Sequence, residues 1–179
     1  MSNQFCIIET LERKMYHTQE KWASRLTFPV LCEKDNAWLG IAYYFWDDEI
    51  DAVHWGHNSK KRTGYFEIYT ADINCENILN TVFNEEHYLF WKRQIEKVAS
   101  NIIKKTGKRP TIKEINTYIA ENAQWSKYTD GIMFQDLPYA DDLLIQNFNY
   151  RKRIQLAVFN KNIIKKFAFH DCIKIQRLC

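Results

Sequence analysis

Glycine and proline are scarce in this sequence, with 5 and 3 residues respectively among 179. Collagen-like, linker-rich and repeat-rich architectures need many more of both, so the composition excludes these classes. Long hydrophobic runs are also missing, because no stretch approaches the roughly 18–20 consecutive apolar residues that a membrane-spanning helix needs. The N-terminus has no basic start followed by an apolar run, so no secretory signal is expected. We therefore expect a cytoplasmic protein without a membrane partner.

Paired cysteine motifs and the common catalytic motifs are missing as well. The sequence has no C-x-x-C pair and none of the patterns G-x-x-x-x-G-K-[ST], G-x-G-x-x-G, H-E-x-x-H or G-x-S-x-G. The five histidines lack compact metal-ligand spacing, so no metal site is expected. The cysteines are odd in number and widely scattered, which favours reduced thiols. They are Cys6, Cys32, Cys75, Cys172 and Cys179.

The overall composition is that of one soluble globular domain. Hydrophobic residues make up 46% and charged residues 26% of the chain, which excludes a disordered protein. A length of 179 residues suits one domain of ordinary size. Aromatic residues reach 15%, a content that suits a dense core and also suits pockets that stack flat ligands.

Charge is distributed unevenly along the chain. Residues 1–91 hold 8 Lys and Arg against 14 Asp and Glu, a net charge of −6, whereas residues 92–179 hold 17 against 8, a net charge of +9. A basic half can hold a polyanion, because Lys and Arg release counterions condensed on phosphates. A solvated lysine-rich surface explains the same charges, and the charge pattern by itself favours that interpretation slightly.

Hydrophobic periodicity predicts an α+β fold in a single domain spanning residues 1–179. Strongly helical spacing from residue 85, followed by a Thr111-to-Glu114 capping box, predicts a helical hairpin inserted at about 85–123. The remainder is richer in strand patterns. The predicted strands are 5–9, 14–18, 38–46, 64–73, 130–135, 153–160, 162–169 and 172–175, with a further helix beginning at 47–55.

Four short segments each have an ordinary structural explanation, but their order and spacing along the chain indicate a function. They are Tyr16-His17-Thr18, Gly40 to Phe45, Ala52 to Trp55, and Gln155 to Asn160 trailed by Ile164-Lys165. This order resembles the diphtheria-toxin-like side of the ADP-ribosyltransferase superfamily, which includes poly(ADP-ribose) polymerases and bacterial toxins and effectors. Its members carry Y-H-G-[ST], G-[IL]-Y-F, A-x-x-[YW] and E-Y-[IV]-V-[YF]-[DN] in that order. The resemblance spans roughly residues 14–56 and 128–166, and the hairpin lies outside it.

The resemblance implies two small, mostly antiparallel sheets around a cleft that binds NAD, which is the substrate. His17 would hydrogen-bond the adenine-side ribose, and the backbone at His17 and Thr18 would hold the nicotinamide amide. Tyr44 would stack on the nicotinamide ring, with Trp55, or less favourably His54, on its other side. His17, Tyr44 and Gln155 are therefore the candidate catalytic residues, and the reaction would depend on alignment and on stabilising developing charge.

Two positions depart from the family pattern. Thr18 follows His17 where the family has glycine, and Gln155 begins the late strand where transferring members have glutamate. Glutamine can accept the ribose hydrogen bond but brings no negative charge. Three interpretations stay open: slower catalysis limited to one transfer, substitution by a nearby carboxylate, or binding without activity. The candidate carboxylates are Asp136, Asp141 and Asp142, and the retained aromatic residues favour the first two interpretations.

These features predict a mono-ADP-ribosyltransferase whose acceptor is RNA rather than protein, although the two acceptors carry nearly equal weight. The preference rests on the basic hairpin and on Arg151, Arg153 and Tyr150, which would lie at the mouth of the cleft and bind phosphate and base. The resemblance to small bacterial toxins of toxin–antitoxin and phage-defence systems also implies an antitoxin protein as a partner. The alternatives are an NAD-binding module and a nucleic-acid-binding protein without catalysis.

Overall fold

The computed structural model describes residues 12–33, 37, 39–123, 127–136 and 153–175, with Asp136 described by its backbone alone. The fold is α+β, as predicted. The described strands are β1 (Glu12–Glu20), β2 (Tyr43–Trp46), β3 (Tyr65–Asn74), β4 (Ile78–Asn80), β5 (Gly131–Asp136), β6 (Arg153–Val158) and β7 (Ile164–Lys174). The helices are α1 (Glu49–Ser59), α2 (Glu85–Thr106) and α3 (Ile112–Asn122), and a 3₁₀ turn, Lys161–Ile163, precedes β7.

All seven described strands belong to one sheet with the order β4-β5-β6-β2-β1-β3-β7. Neighbouring strands are antiparallel except β4 and β5, which are parallel. The expected division into two sheets is not confirmed, because β1 pairs with both β2 and β3 and so connects the two halves. The connection to β2 is narrow, since Tyr16 opposite Trp46 is its one registered pair, whereas β1 and β3 pair from Glu12 to Glu20. We call this narrow β1–β2 junction the seam.

The two faces of the sheet carry different structures. On the helix face, Trp46, Phe66 and Ile68 pack against Ala52 of α1, and Ile132 packs against Trp91 of α2. Side chains alternate along each strand, so Met15, Phe45, Leu156 and their neighbours form a buried cluster on the opposite face, which we call the far face.

Local signals explain where the helices begin and end. The side chain of Asp48 accepts a hydrogen bond from the Ile50 amide at the start of α1. Gly107, with φ of 71°, ends α2, and the predicted capping box between Thr111 and Glu114 opens α3. The α2–α3 hairpin is therefore present as predicted. No helix in the described part of the chain is long and apolar enough to cross a membrane.

Candidate functional site

The three predicted catalytic residues lie on three adjacent strands, β6, β2 and β1. Gln155 is opposite Trp46, and Trp46 is opposite Tyr16, the residue before His17. Tyr44 lies two residues before Trp46 on the same strand. The sheet order thus brings segments that are more than a hundred residues apart in sequence to one place, beside the seam.

His17 is held in one tautomer by the backbone across the seam. Its Nδ1 lies 2.9 Å from the carbonyl oxygen of Tyr44, which can only accept, so Nδ1 carries the proton and donates it. Nε2 is then an acceptor. It is buried and has no hydrogen-bond partner among the described residues. The His17 ring contacts the rings of Phe45 and Phe167, so its side chain lies on the far face. A buried acceptor of this kind suits a ligand that offers a hydroxyl.

Burial keeps the His17 ring neutral. Desolvation lowers the pKa of His17 from 6.5 to about 4, and the hydrogen bond to the Tyr44 carbonyl opposes this shift only in part. The ring therefore retains its lone pair on Nε2 throughout the physiological pH range.

Acidification from about pH 7 to about pH 4.5 should lower the free energy of unfolding by about 2 kcal/mol through His17. The folded pKa of about 4 lies below the ordinary value of 6.5, so the unfolded chain binds the extra proton between these values. The contribution of His17 to the free energy of unfolding is fully present above pH 6.5 and is lost as the pH falls toward 4. Urea unfolding of the wild type and His17→Gln at both pH values checks this, and an equal pH dependence in the two proteins would contradict it.

Tyr44 uses its hydroxyl to close the turn that precedes β2. The hydroxyl donates to the carbonyl of Gly40 at 2.8 Å and accepts from the Leu39 amide at 3.2 Å. Burial raises the pKa of this hydroxyl, so it stays protonated. The ring packs on the helix face against Leu39, Ala42 and Ala157. Tyr44 and the His17 side chain therefore lie on opposite faces, while Tyr43 shares the far face with His17.

The other predicted NAD-binding residues lie on or near α1. The Thr18 hydroxyl donates to the carbonyl of Ala52 at 2.7 Å, which ties β1 to α1. Trp55 packs against Trp46, with ring centroids 5.8 Å apart. His54 is exposed, and its Nε2 lies 2.9 Å from Nδ2 of Asn58. The structure thus places Trp55 beside the Gln155–Trp46 pair and leaves His54 at the surface.

Gln155 and Arg153 are both 7% exposed. Gln155 lies on the helix face between Trp46 of β2 and Phe134 of β5. The guanidinium carbon of Arg153 lies 5.7 Å from the ring centroid of Trp46, and its backbone pairs with Asp136. Arg153 therefore packs within the protein instead of presenting a free cation at the surface. Tyr150, Arg151, Asp141 and Asp142 lie outside the described residues.

An aromatic cluster on the far face was not predicted from the sequence. The Phe167 ring contacts His17, Phe28 and Tyr69, and we call these four residues the Phe167 cluster. The Tyr69 hydroxyl donates to the Glu67 carboxylate and accepts from the Leu26 amide, which holds the loop after β1 over the sheet. Burial raises the pKa of Tyr69 to about 12. Nothing in the local pattern around Phe28 or Phe167 indicated this contact, because they are distant in sequence.

A cavity of about 490 Å³ opens beside this cluster. Its lining combines an aromatic ring, two cations, an amide and an aliphatic side chain: Phe28, Lys161, Lys165, Asn162 and Ile164. Phe28 belongs to both the cavity and the Phe167 cluster, so one aromatic ring separates the cavity from the residues that surround His17. We call this cavity, with its five lining residues, the lysine cavity.

No protein-family model matches the chain, and neither a curated protein nor a solved structure matches it.

Proposed function

We propose that this protein is a mono-ADP-ribosyltransferase that moves ADP-ribose from NAD to a macromolecule. The observation that carries the proposal is the buried, unprotonated Nε2 of His17 beside the seam, on a strand adjacent to those of Tyr44 and Gln155. The order of motifs in the sequence is a second line of support, and it concerns the same three residues.

In the proposed reaction the bond between C1′ of the ribose and the nicotinamide nitrogen breaks. Nicotinamide leaves with the electron pair as a neutral molecule, and an oxygen or nitrogen of the acceptor forms a new bond to C1′. The acceptor gives up its proton to solvent or to a neighbouring base. Positive charge builds on the ribose while the old bond breaks, so groups that orient and stabilise the ribose determine the rate.

The proposed roles involve both faces of the sheet, because the His17 side chain lies on the far face whereas Tyr44 and Gln155 lie on the helix face. Nε2 of His17 accepts a hydrogen bond from the adenine-side ribose, and the Tyr44 carbonyl keeps the ring in the required tautomer. The Gln155 amide oxygen accepts from the nicotinamide-side ribose but supplies no charge, so the reaction is slow. The Tyr44 and Gln155 contacts require NAD to cross the seam and reach both faces. If NAD stays on the far face instead, its nicotinamide would stack on Tyr43 and Gln155 would not contact it.

RNA is the acceptor that the charge distribution favours. The hairpin cations predicted to meet phosphate are exposed, apart from the half-buried Lys113, and many lie along α2. They are Lys92, Arg93, Lys97, Lys104, Lys105, Lys108, Arg109 and Lys113. Exposed cations on one long element suit a phosphate backbone. A protein side chain is the alternative acceptor. The proposal also includes a toxin role in the bacterial cytoplasm, with an antitoxin protein as partner.

An NAD-binding module is a second candidate, and Gln155 favours it. Without the negative charge that glutamate supplies, the strand could retain the ribose contact while losing the stabilisation of the cationic ribose. This candidate predicts NAD binding by calorimetry without release of nicotinamide.

The direct test combines purified protein, NAD labelled on its adenylate phosphate, total RNA and cell-lysate protein. We expect nicotinamide release and label on material that ribonuclease removes. Tyr43→Leu and Tyr44→Leu assayed in parallel identify the stacking aromatic as the one whose loss raises the KM for NAD. Label on protein alone would move the acceptor to protein. Binding without release would establish the module, and neither binding nor release would contradict both candidates.

A further inference from the structure

We propose that the lysine cavity is a binding site for single-stranded nucleic acid, and that it holds the acceptor strand. The observation is the combination of an exposed aromatic residue with two exposed lysines around one open cavity. That the bound strand is the acceptor rests on the proposed function, whereas the binding itself does not.

The two lysines are available to a phosphate. Both residues are exposed, and neither ammonium group forms an ion pair with any residue in the described part of the chain. Lys166, between Lys165 and Phe167, differs because its ammonium lies 2.8 Å from the Asp72 carboxylate. Lys161 and Lys165 therefore present positive charge to the cavity with no carboxylate at ion-pair distance among the described residues.

The turn that carries Lys161 is held firmly in place. Asn160 donates from Nδ2 to the Asp130 carboxylate at 2.7 Å, and its own side-chain oxygen accepts from the Asn162 amide at 3.1 Å. The amides of Phe159 and Asn160 both donate to the Asp130 carbonyl, at 2.8 and 3.1 Å. Because these bonds order the turn before any ligand arrives, less entropy is lost when a phosphate binds.

Phe28 supplies the stacking surface. Its ring is 37% exposed and is supported by the Tyr43 and Phe167 rings, at centroid distances of 5.5 and 6.3 Å. An aromatic ring supported by others and open on one side stacks any base, and neighbouring lysines bind the backbone phosphates. The cavity volume of about 490 Å³ is in the range of pockets that hold small molecules, which suits a nucleotide unit of a longer strand.

The open, exposed rim favours a strand over NAD as the occupant. The group proposed to bind NAD, Nε2 of His17, is buried, whereas both lysines of the cavity are exposed. The lysine cavity and His17 are connected by ring contacts, because Phe28 of the cavity contacts Phe167 and Phe167 contacts His17. A strand in the cavity would therefore lie next to the adenine-side ribose. Phe28 also contacts Tyr43 at a centroid distance of 5.5 Å, so the strand would reach the nicotinamide end of an NAD that stacks on Tyr43.

The test measures binding of a fluorescein-labelled oligouridine of about ten nucleotides by anisotropy, without NAD, between about 50 and 200 mM salt. The double variant Lys161→Gln/Lys165→Gln should bind more weakly, and the slope of log affinity against log salt should fall by about 1.4, or about 0.7 for each lost phosphate contact. The matched control Lys61→Gln/Lys174→Gln loses the same charge at exposed positions outside the cavity and should keep the wild-type slope.

Phe28 is tested separately, because stacking does not depend on salt in this way. Phe28→Leu should weaken binding about tenfold with an unchanged slope, and Phe28→Tyr should restore it.

Equal slopes in the two lysine double variants, or no binding by the wild type, would overturn the proposal. If calorimetry shows that the cavity variant loses NAD affinity while RNA binding is unchanged, the cavity belongs to NAD and the proposal is wrong. If RNA binding changes as expected but the wild type releases no nicotinamide, the site stands and the transferase proposal fails.

Discussion

Replacing His17 with alanine should lower kcat/KM for nicotinamide release by about a hundredfold, the cost of losing one well-oriented contact to the reacting molecule. The Nε2 acceptor is the one group at the seam that is buried, uncharged and without a partner among the described residues. Alanine also frees the Tyr44 carbonyl, which at present accepts the Nδ1 proton at 2.9 Å. The measurement is the initial rate of nicotinamide release as NAD is varied, together with calorimetric NAD affinity.

Two further variants separate a role in binding NAD from a role in folding. Glutamine at position 17 can donate to the Tyr44 carbonyl and offer an acceptor, so His17→Gln should recover part of the loss. His87, in the first turn of α2, accepts from the Asn80 amide at 3.1 Å, and His87→Gln should keep the wild-type rate. A rate for His17→Ala within about threefold of wild type, in protein whose urea unfolding is cooperative, would remove His17 from the mechanism.

Local chemistry made the helical hairpin predictable from sequence. The Thr111-to-Glu114 capping box and Gly107 at the end of α2 act within a few residues, so the sequence displays them directly. Strand pairing is different. Strand β4 (Ile78–Asn80) is only three residues long and was not predicted, and the two late strands predicted at 162–169 and 172–175 form one strand, Ile164–Lys174. The strand predicted at 5–9 lies outside the described residues.

The sequence indicates which segments carry the candidate residues, but it does not indicate how their side chains are arranged. Motif order pointed to His17, Tyr44 and Gln155, and the strands that carry them are adjacent. The face that each side chain occupies depends on register, and a shift of one residue reverses it. Tyr43 and Tyr44 illustrate this, because nothing in the sequence distinguishes which one shares the far face with His17. Phe28 joins the Phe167 cluster from a loop, where no periodicity guides prediction.

Replacing Gln155 with glutamate should raise the rate of nicotinamide release at least tenfold, because a carboxylate stabilises the positive charge that develops on the ribose. The new charge is costly, since position 155 is only 7% exposed and a buried carboxylate without full compensation destabilises the fold by about 2 kcal/mol. Arg153, two residues earlier, lies on the same face of β6 and offsets part of this cost. The variant should therefore be faster and less stable than the wild type.

The control is Gln135→Glu, the same substitution on the neighbouring strand β5. Gln135 is opposite Ile154, so it lies on the other face from Gln155, and the added charge should leave the rate unchanged.

Nicotinamide release and urea unfolding of the wild type and the two variants distinguish the candidates. A slow wild type with a faster Gln155→Glu variant supports the transferase, because the chemistry is present and limited by the missing charge. An inactive wild type whose Gln155→Glu variant is active identifies a binding module that has lost one carboxylate. If the glutamate variant binds NAD but releases no nicotinamide, the charge at position 155 does not face the reacting ribose, and the proposed role of Gln155 is wrong.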